Sequence, residues 1–141
     1  MKRLFLSSTL MWSAPLQDMA QVVQDNQLAG IEVWAQHFFY HQYDKAAYRE
    51  YASKFQMETF VHSCSWDLNL ASLNEGIRQA SVQEVVASMR LAKELGAVEV
   101  TVHPGHMTMP FHRSWFLLKT GTLAWYSSLL PCGSYDCAGT C

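Results

Sequence analysis

FVHSCSWDLNLAS (60–72) and VTVHPGH (100–106) are the stretches that decide how this chain folds. Each begins inside a short apolar run that carries a histidine near its end: His62 in Thr59–Ser63 and His103 in Val98–His103. Short apolar runs bounded by turn residues read as buried strands. In parallel βα proteins the carboxyl ends of the strands open into the ligand crevice. Two imidazoles delivered there are the start of a metal or substrate site.

Outward from these runs the pattern repeats. Leu4–Ser8 is short and apolar, and Ser13 and Pro15 supply a turn. Leu16, Met19, Val22 and Val23 then recur at helical spacing, with Gly30 expected to end the helix. Ile31–Ala35 follows as a second apolar run whose one charge is Glu32. Asp44 is placed to cap a helix carrying Ala47, Tyr48, Tyr51 and Phe55, which leads into the run ending at Ser63. Ser81 and Glu84 have capping-box spacing, ahead of a stripe formed by Val82, Val85, Val86, Met89 and Ala92. Gly96 closes that helix. Strand starts near 4, 31, 59 and 98 imply βα units of about 30 residues, the unit of eight-fold barrels. The expected fold class is therefore α/β: the first four βα units of a (β/α)8 barrel, filling residues 1–110.

Composition narrows the function classes. With 141 residues, half of them hydrophobic, the chain fits one domain with a substantial core. A net charge of -2 argues against a general nucleic-acid surface, which is normally basic. Lys2 and Arg3 precede an apolar stretch, but Ser7, Ser8 and Thr9 break the greasy core a signal peptide needs. No run approaches the roughly 18 apolar residues of a membrane helix. Cys64 stands alone, while Cys132, Cys137 and Cys141 lack a fourth ligand at zinc spacing, so a reducing cytoplasm is expected. From Phe111 to Cys141 only Arg113, Lys119 and Asp136 are charged, and no helical period is sustained. The favoured reading of 111–141 is an irregular tail from a shifted frame near residue 112; an ordinary irregular segment is the plain alternative.

The two strand-end segments resemble the xylose isomerase-like TIM barrels, a superfamily of sugar-phosphate isomerases and epimerases and of endonuclease IV-type AP endonucleases. His62 with Asn69-Leu70-Ala71-Ser72, and His103-Pro104-Gly105, are similar to that superfamily's third- and fourth-strand segments, and GIEVW (30–34) to its second strand. In the endonuclease branch, the resemblance implies, His62 and His103 are zinc ligands acting on abasic DNA. In the isomerase branch one divalent metal, zinc or manganese, is held by later strands, and His62 and His103 contact the sugar or sugar phosphate. The family's acid/base carboxylates and most of its metal ligands belong to strands five to eight.

Each residue also has a plainer reading. His62 alone could be satisfied by backbone; paired with His103 it is read as a metal ligand. Glu32, His37, Trp66 and His106 are the expected substrate contacts, though His37 and His41 also suit an aromatic loop over the barrel mouth, and His106 an ordinary loop. Glu32 in a barrel interior would need a partner. Trp12, Trp34 and Trp66 can stack on a sugar or cap the core. Asn69 is expected to brace its loop, and Cys64 to be a small buried hydrophobe. The expected activity is isomerisation or epimerisation of a small sugar or sugar phosphate with a divalent metal. A zinc-dependent AP endonuclease is the alternative, and an inactive half-barrel that self-associates through open edges is the third reading.

Overall fold

Alternating burial along the strands shows how the sheet is used. The computed structural model describes residues 3–106. Four strands, β1 (Phe5–Ser7), β2 (Gly30–Trp34), β3 (Glu58–His62) and β4 (Glu99–Thr101), form one parallel sheet in chain order. On one face Leu6, Ile31, Val33, Thr59 and Val61 are buried beneath the helices. Their neighbours Phe5, Ser7, Glu32, Trp34 and Phe60 lie half-buried on the opposite face. That is the layering of a barrel wall, with helices outside and a second set of side chains facing inward. Phe5 and Phe60 meet on this inner face, their ring centroids 4.4 Å apart. The register sets Trp34 beside His62 and His62 beside Thr101.

The helices are α1 (Leu16–Asp25), α2 (Ala35–Tyr40), α3 (Lys45–Lys54) and α4 (Glu75–Leu95), and a 3-10 turn (Ser8–Met11) follows β1. Met19, Ala20 and Val23 of α1, Tyr48 of α3, and Leu91, Ala92 and Leu95 of α4 pack over the sheet. Tyr48 is almost wholly buried, and its hydroxyl pairs with that of Thr59 at 2.8 Å. Asp44 caps α3 as the sequence implies, accepting from Ala47 N–H at 2.7 Å.

Several local expectations are corrected. Gly30 does not end α1; it begins β2, where a Cβ would run into the Glu58 backbone of the neighbouring strand. Helices α1, α2 and α3 instead close on the left-handed residues Gln27, Gln42 and Gln56. The amides of Leu28, Tyr43 and Met57 bond back to Val23, Phe38 and Ala52, the Schellman pattern that Gly96 completes for α4. Ser81 and Glu84 form no capping box, because α4 starts about two turns earlier, capped by Asn74, which accepts from Ile77 N–H at 3.2 Å. Of the proposed α4 stripe only Val85 and Ala92 are buried; Val82, Val86 and Met89 are exposed. AQHFFYHQYD, read as a loop, contains α2. The tail reading for 111–141, and with it the domain boundary near 110, lies outside the described residues.

Candidate functional site

His62 ends β3 on the inner face, and three contacts fix its ring. Its Nδ1–H donates to its neighbour's carbonyl, Ser63 O, at 3.0 Å, which leaves Nε2 as the lone-pair nitrogen. Trp34, one strand over, lies parallel to the imidazole with centroids 3.8 Å apart and 1° between planes. The Nε2 then faces His103 Nε2 at 3.0 Å. His62 is only 5% exposed, whereas His103 is open to solvent. Two ring nitrogens at this separation either share one proton or hold one cation. At Zn–N bonds of about 2.0–2.1 Å, two tetrahedral ligand nitrogens lie roughly 3.3 Å apart, close to what the pair presents. The histidines thus fit two positions of one divalent metal site. Among the described residues no third His, Cys, Asp or Glu joins them.

The loop carrying His103 is strapped to the loop after β3 by one side chain. Asn69 is buried; its Oδ1 accepts from His106 N–H at 2.9 Å and Ala71 N–H at 3.1 Å, and its Nδ2 donates to His106 O at 2.7 Å. Gly105, at φ 88°, makes room for this: a Cβ there would overlap Asn69 Oδ1. The β3 loop is itself anchored on α4. Ser88 Oγ accepts from Cys64 N–H at 3.0 Å and Ser81 Oγ accepts from Asn69 N–H at 2.8 Å. Both hydroxyls donate back to carbonyls one turn earlier on the helix, Glu84 O and Ile77 O. On the other side Gln36 Oε1 accepts from Ser65 N–H and Trp66 N–H at 3.0 and 2.9 Å.

An aromatic cluster flanks the histidines. Trp66 stacks on Trp12 at 5.4 Å and touches Trp34 at 6.0 Å. His37 stacks on Trp12 at 4.6 Å, and its Nε2–H donates to Trp12 O at 2.8 Å. Burial lowers the His37 pKa; the Trp12 carbonyl pulls it up, and nearby His41 pushes it down again. At neutral pH His37 is therefore an uncharged brace under the loop that follows β1.

A family model described as a xylose isomerase-like TIM barrel matches residues 20–120. The chain belongs to the xylose isomerase-like TIM barrel family. The uncharacterized protein MJ1188 of Methanocaldococcus jannaschii is 24% identical over 108 residues, covering 74% of this chain and 40% of that protein. MJ1311 of the same organism is 36% identical over 58 residues, covering 41% of this chain and 20% of its own length. Among solved structures, a D-tagatose 3-epimerase-like protein superposes with TM-score 0.66 at 20% identity, covering 92% of this chain and 48% of the other. The TTHB071 protein from Thermus thermophilus, soaked with zinc chloride, superposes with TM-score 0.59 at 21% identity, covering 92% and 50%. The chain thus spans half or less of the length of these relatives, and its sheet is a partial barrel of the family's fold.

Most of the sequence-selected residues lie at or beyond the carboxyl ends of the strands. His62 and His103 meet. Glu32 sits on the inner face, its carboxylate 3.4 Å from Trp34 Nε1. Trp66 lies beside Trp34, half exposed. His106 is exposed, and the contacts that place it are its backbone bonds to Asn69. His37 is set apart from the rest: it is 1% exposed and committed to Trp12. Cys64 is a free, buried thiol whose pKa is raised by burial, a small hydrophobe as expected. Gln36 and Ser88 are not singled out by the sequence, and Ser81 is read there only as a helix cap. The only sequence signal for the serines was their seven-residue spacing, which puts them on one helix face.

Proposed function

We propose that this chain supplies part of a divalent-metal sugar isomerase or epimerase site, with His62 and His103 on the metal rather than on the sugar. The observation that carries the reading is the pair of Nε2 atoms 3.0 Å apart, one at the end of β3 and one two residues beyond β4, in a barrel of this family. His62 and His103 would hold zinc or manganese, and Trp66, Glu32 and the exposed His106 would face the sugar. A divalent cation at that point polarises the carbonyl and hydroxyl oxygens of a sugar, easing proton transfer at the adjacent carbon. Glu32 lies on the same face but is engaged with Trp34, so the described residues place no free carboxylate beside the histidines for that proton. Support for a small sugar comes from the D-tagatose 3-epimerase-like neighbour, a likeness of fold. No described helix is long and apolar enough to cross a membrane, and the free Cys64 suits a reducing cytoplasm. Among the described residues β1 and β4 each pair on one side only, and Phe5 and Phe60 remain half-buried, so association of two copies through these edges belongs to the same reading.

The test is to incubate the 141-residue chain with D-tagatose or D-fructose in deuterated buffer, with and without added Zn²⁺ or Mn²⁺. Metal-dependent ketose binding, or deuterium entry beside the carbonyl, lost in His62→Ala and His103→Ala, supports the proposal. Nicking of abasic duplex DNA without ketose binding transfers support to the endonuclease reading. Metal-independent behaviour in every assay overturns the proposal.

A further inference from the structure

We infer that the site takes a two-ring glycoside rather than a lone, phosphorylated monosaccharide; this rests on the sugar reading above. From His62 a run of ring contacts leads away from the metal-binding pair: to Trp34 at 3.8 Å, Trp66 at 6.0 Å, Trp12 at 5.4 Å and Tyr40 at 5.6 Å. The run is open to solvent at its middle, where Trp66 is 50% exposed, and at its far end, where Tyr40 is 72% exposed. A single sugar ring is about as wide as one aromatic side chain, so a ring held at His62 and His103 leaves the outer members uncovered. Trp12 is stacked on both His37 and Trp66, so the ring surface left for the C–H face of a sugar or a flat aryl group is that of Trp66 and Tyr40. Three consecutive βα connections contribute to the run, after β1 (Trp12), at and after β2 (Trp34, Tyr40) and after β3 (Trp66), and Gln36 holds the last in place.

The charge of these loops sets the ligand class. Residues 8–14, 35–43 and 63–73 contain no Lys or Arg, and their one charged residue is Asp67. Phosphate and nucleic-acid backbones are held mainly by cations, so stacking here is not accompanied by the groups an anionic ligand needs. His41 packs against both Trp12 and Tyr40, and among the described residues its buried Nε2 has no hydrogen-bond partner, which leaves one polar atom beside the rings. Neutral, hydroxyl-rich rings match this mixture of aromatic faces and few charges.

Isothermal titration of the 141-residue chain in the presence of Zn²⁺ separates the cases, using methyl β-D-glucopyranoside, cellobiose and phenyl β-D-glucopyranoside. Either two-ring ligand is expected to bind about tenfold more tightly than the methyl glucoside, the worth of one or two added ring contacts. Whichever of the two binds better identifies the second ring as sugar or aryl. Tyr40→Ala, a change at an exposed position, should remove most of that advantage and leave methyl glucoside binding unaltered. Equal affinity for all three ligands overturns the inference while the sugar reading stands. Binding of none of them overturns the inference, and D-fructose added in the same titration decides the sugar reading separately: it stands if D-fructose binds and falls if it does not.

Discussion

Replacing Asn69 with alanine removes three hydrogen bonds at once, and with them the strap that positions His103. The bonds are 2.7, 2.9 and 3.1 Å long, and two of them cross from the β3 loop to the segment after β4. At roughly 0.5–1.5 kcal/mol for each bond, Asn69→Ala should cost about 2–3 kcal/mol, with some relief because exposed His106 can turn to water. Asn69→Asp keeps both bonds at Oδ1 but sets a carboxylate oxygen against His106 O, for a smaller loss of about 1–2 kcal/mol. Urea denaturation followed by circular dichroism gives both figures. The same variants should bind Zn²⁺ at least about tenfold more weakly, since loosening what orients a ligand commonly costs that much. A stability loss below about 0.5 kcal/mol for Asn69→Ala, a surface-type value, would refute the strap. A full stability loss with unchanged zinc affinity would refute its link to His103.

Gln27→Gly, Gln42→Gly and Gln56→Gly each relieve a side chain held at positive φ, and each is expected to raise stability by up to about 1 kcal/mol, read as an increase in Tm. Because burial depresses the pKa of His37, unfolded chains bind a proton there that the folded protein does not. Stability should therefore fall as pH drops from about 6.5 through the lower folded value, and His37→Gln should flatten that part of the pH–stability curve. Cys64, buried and with its thiol pKa raised, should resist iodoacetamide in the folded protein and react on denaturation, as peptide mapping by mass spectrometry would show.

Strands were the legible part of this fold, because a strand buried under helices must be apolar and its ends bring turn residues. The runs around Ile31, Val61 and Val100 announced themselves for that reason. Helix ends were less legible. A glycine was the expected stop after α1, but the left-handed position is filled by Gln27, and Gly30 meets a different demand, the close approach of Glu58. The face of α4 was misread because two of its buried positions are serines. Ser81 and Ser88 satisfy their hydroxyls on the helix's own carbonyls and on the β3 loop, so polarity gave no sign of burial. In the site, the histidine pair was readable from strand ends and order along the chain. The parallel stack of Trp34 on His62 was not, since it depends on register between strands that sequence spacing does not reveal. His37 looked equivalent to Glu32 and Trp66 in sequence, yet a short helix buries it against Trp12.

In the proposed site His62 and His103 act as one divalent-metal locus. Nitrogen-detected NMR of the imidazoles during Zn²⁺ addition tests it most directly. The two Nε2 resonances should shift together, at one stoichiometric equivalent, and His62→Ala should abolish the His103 response. Independent titrations of the two rings, or an undisturbed His103 shift in His62→Ala, would contradict it.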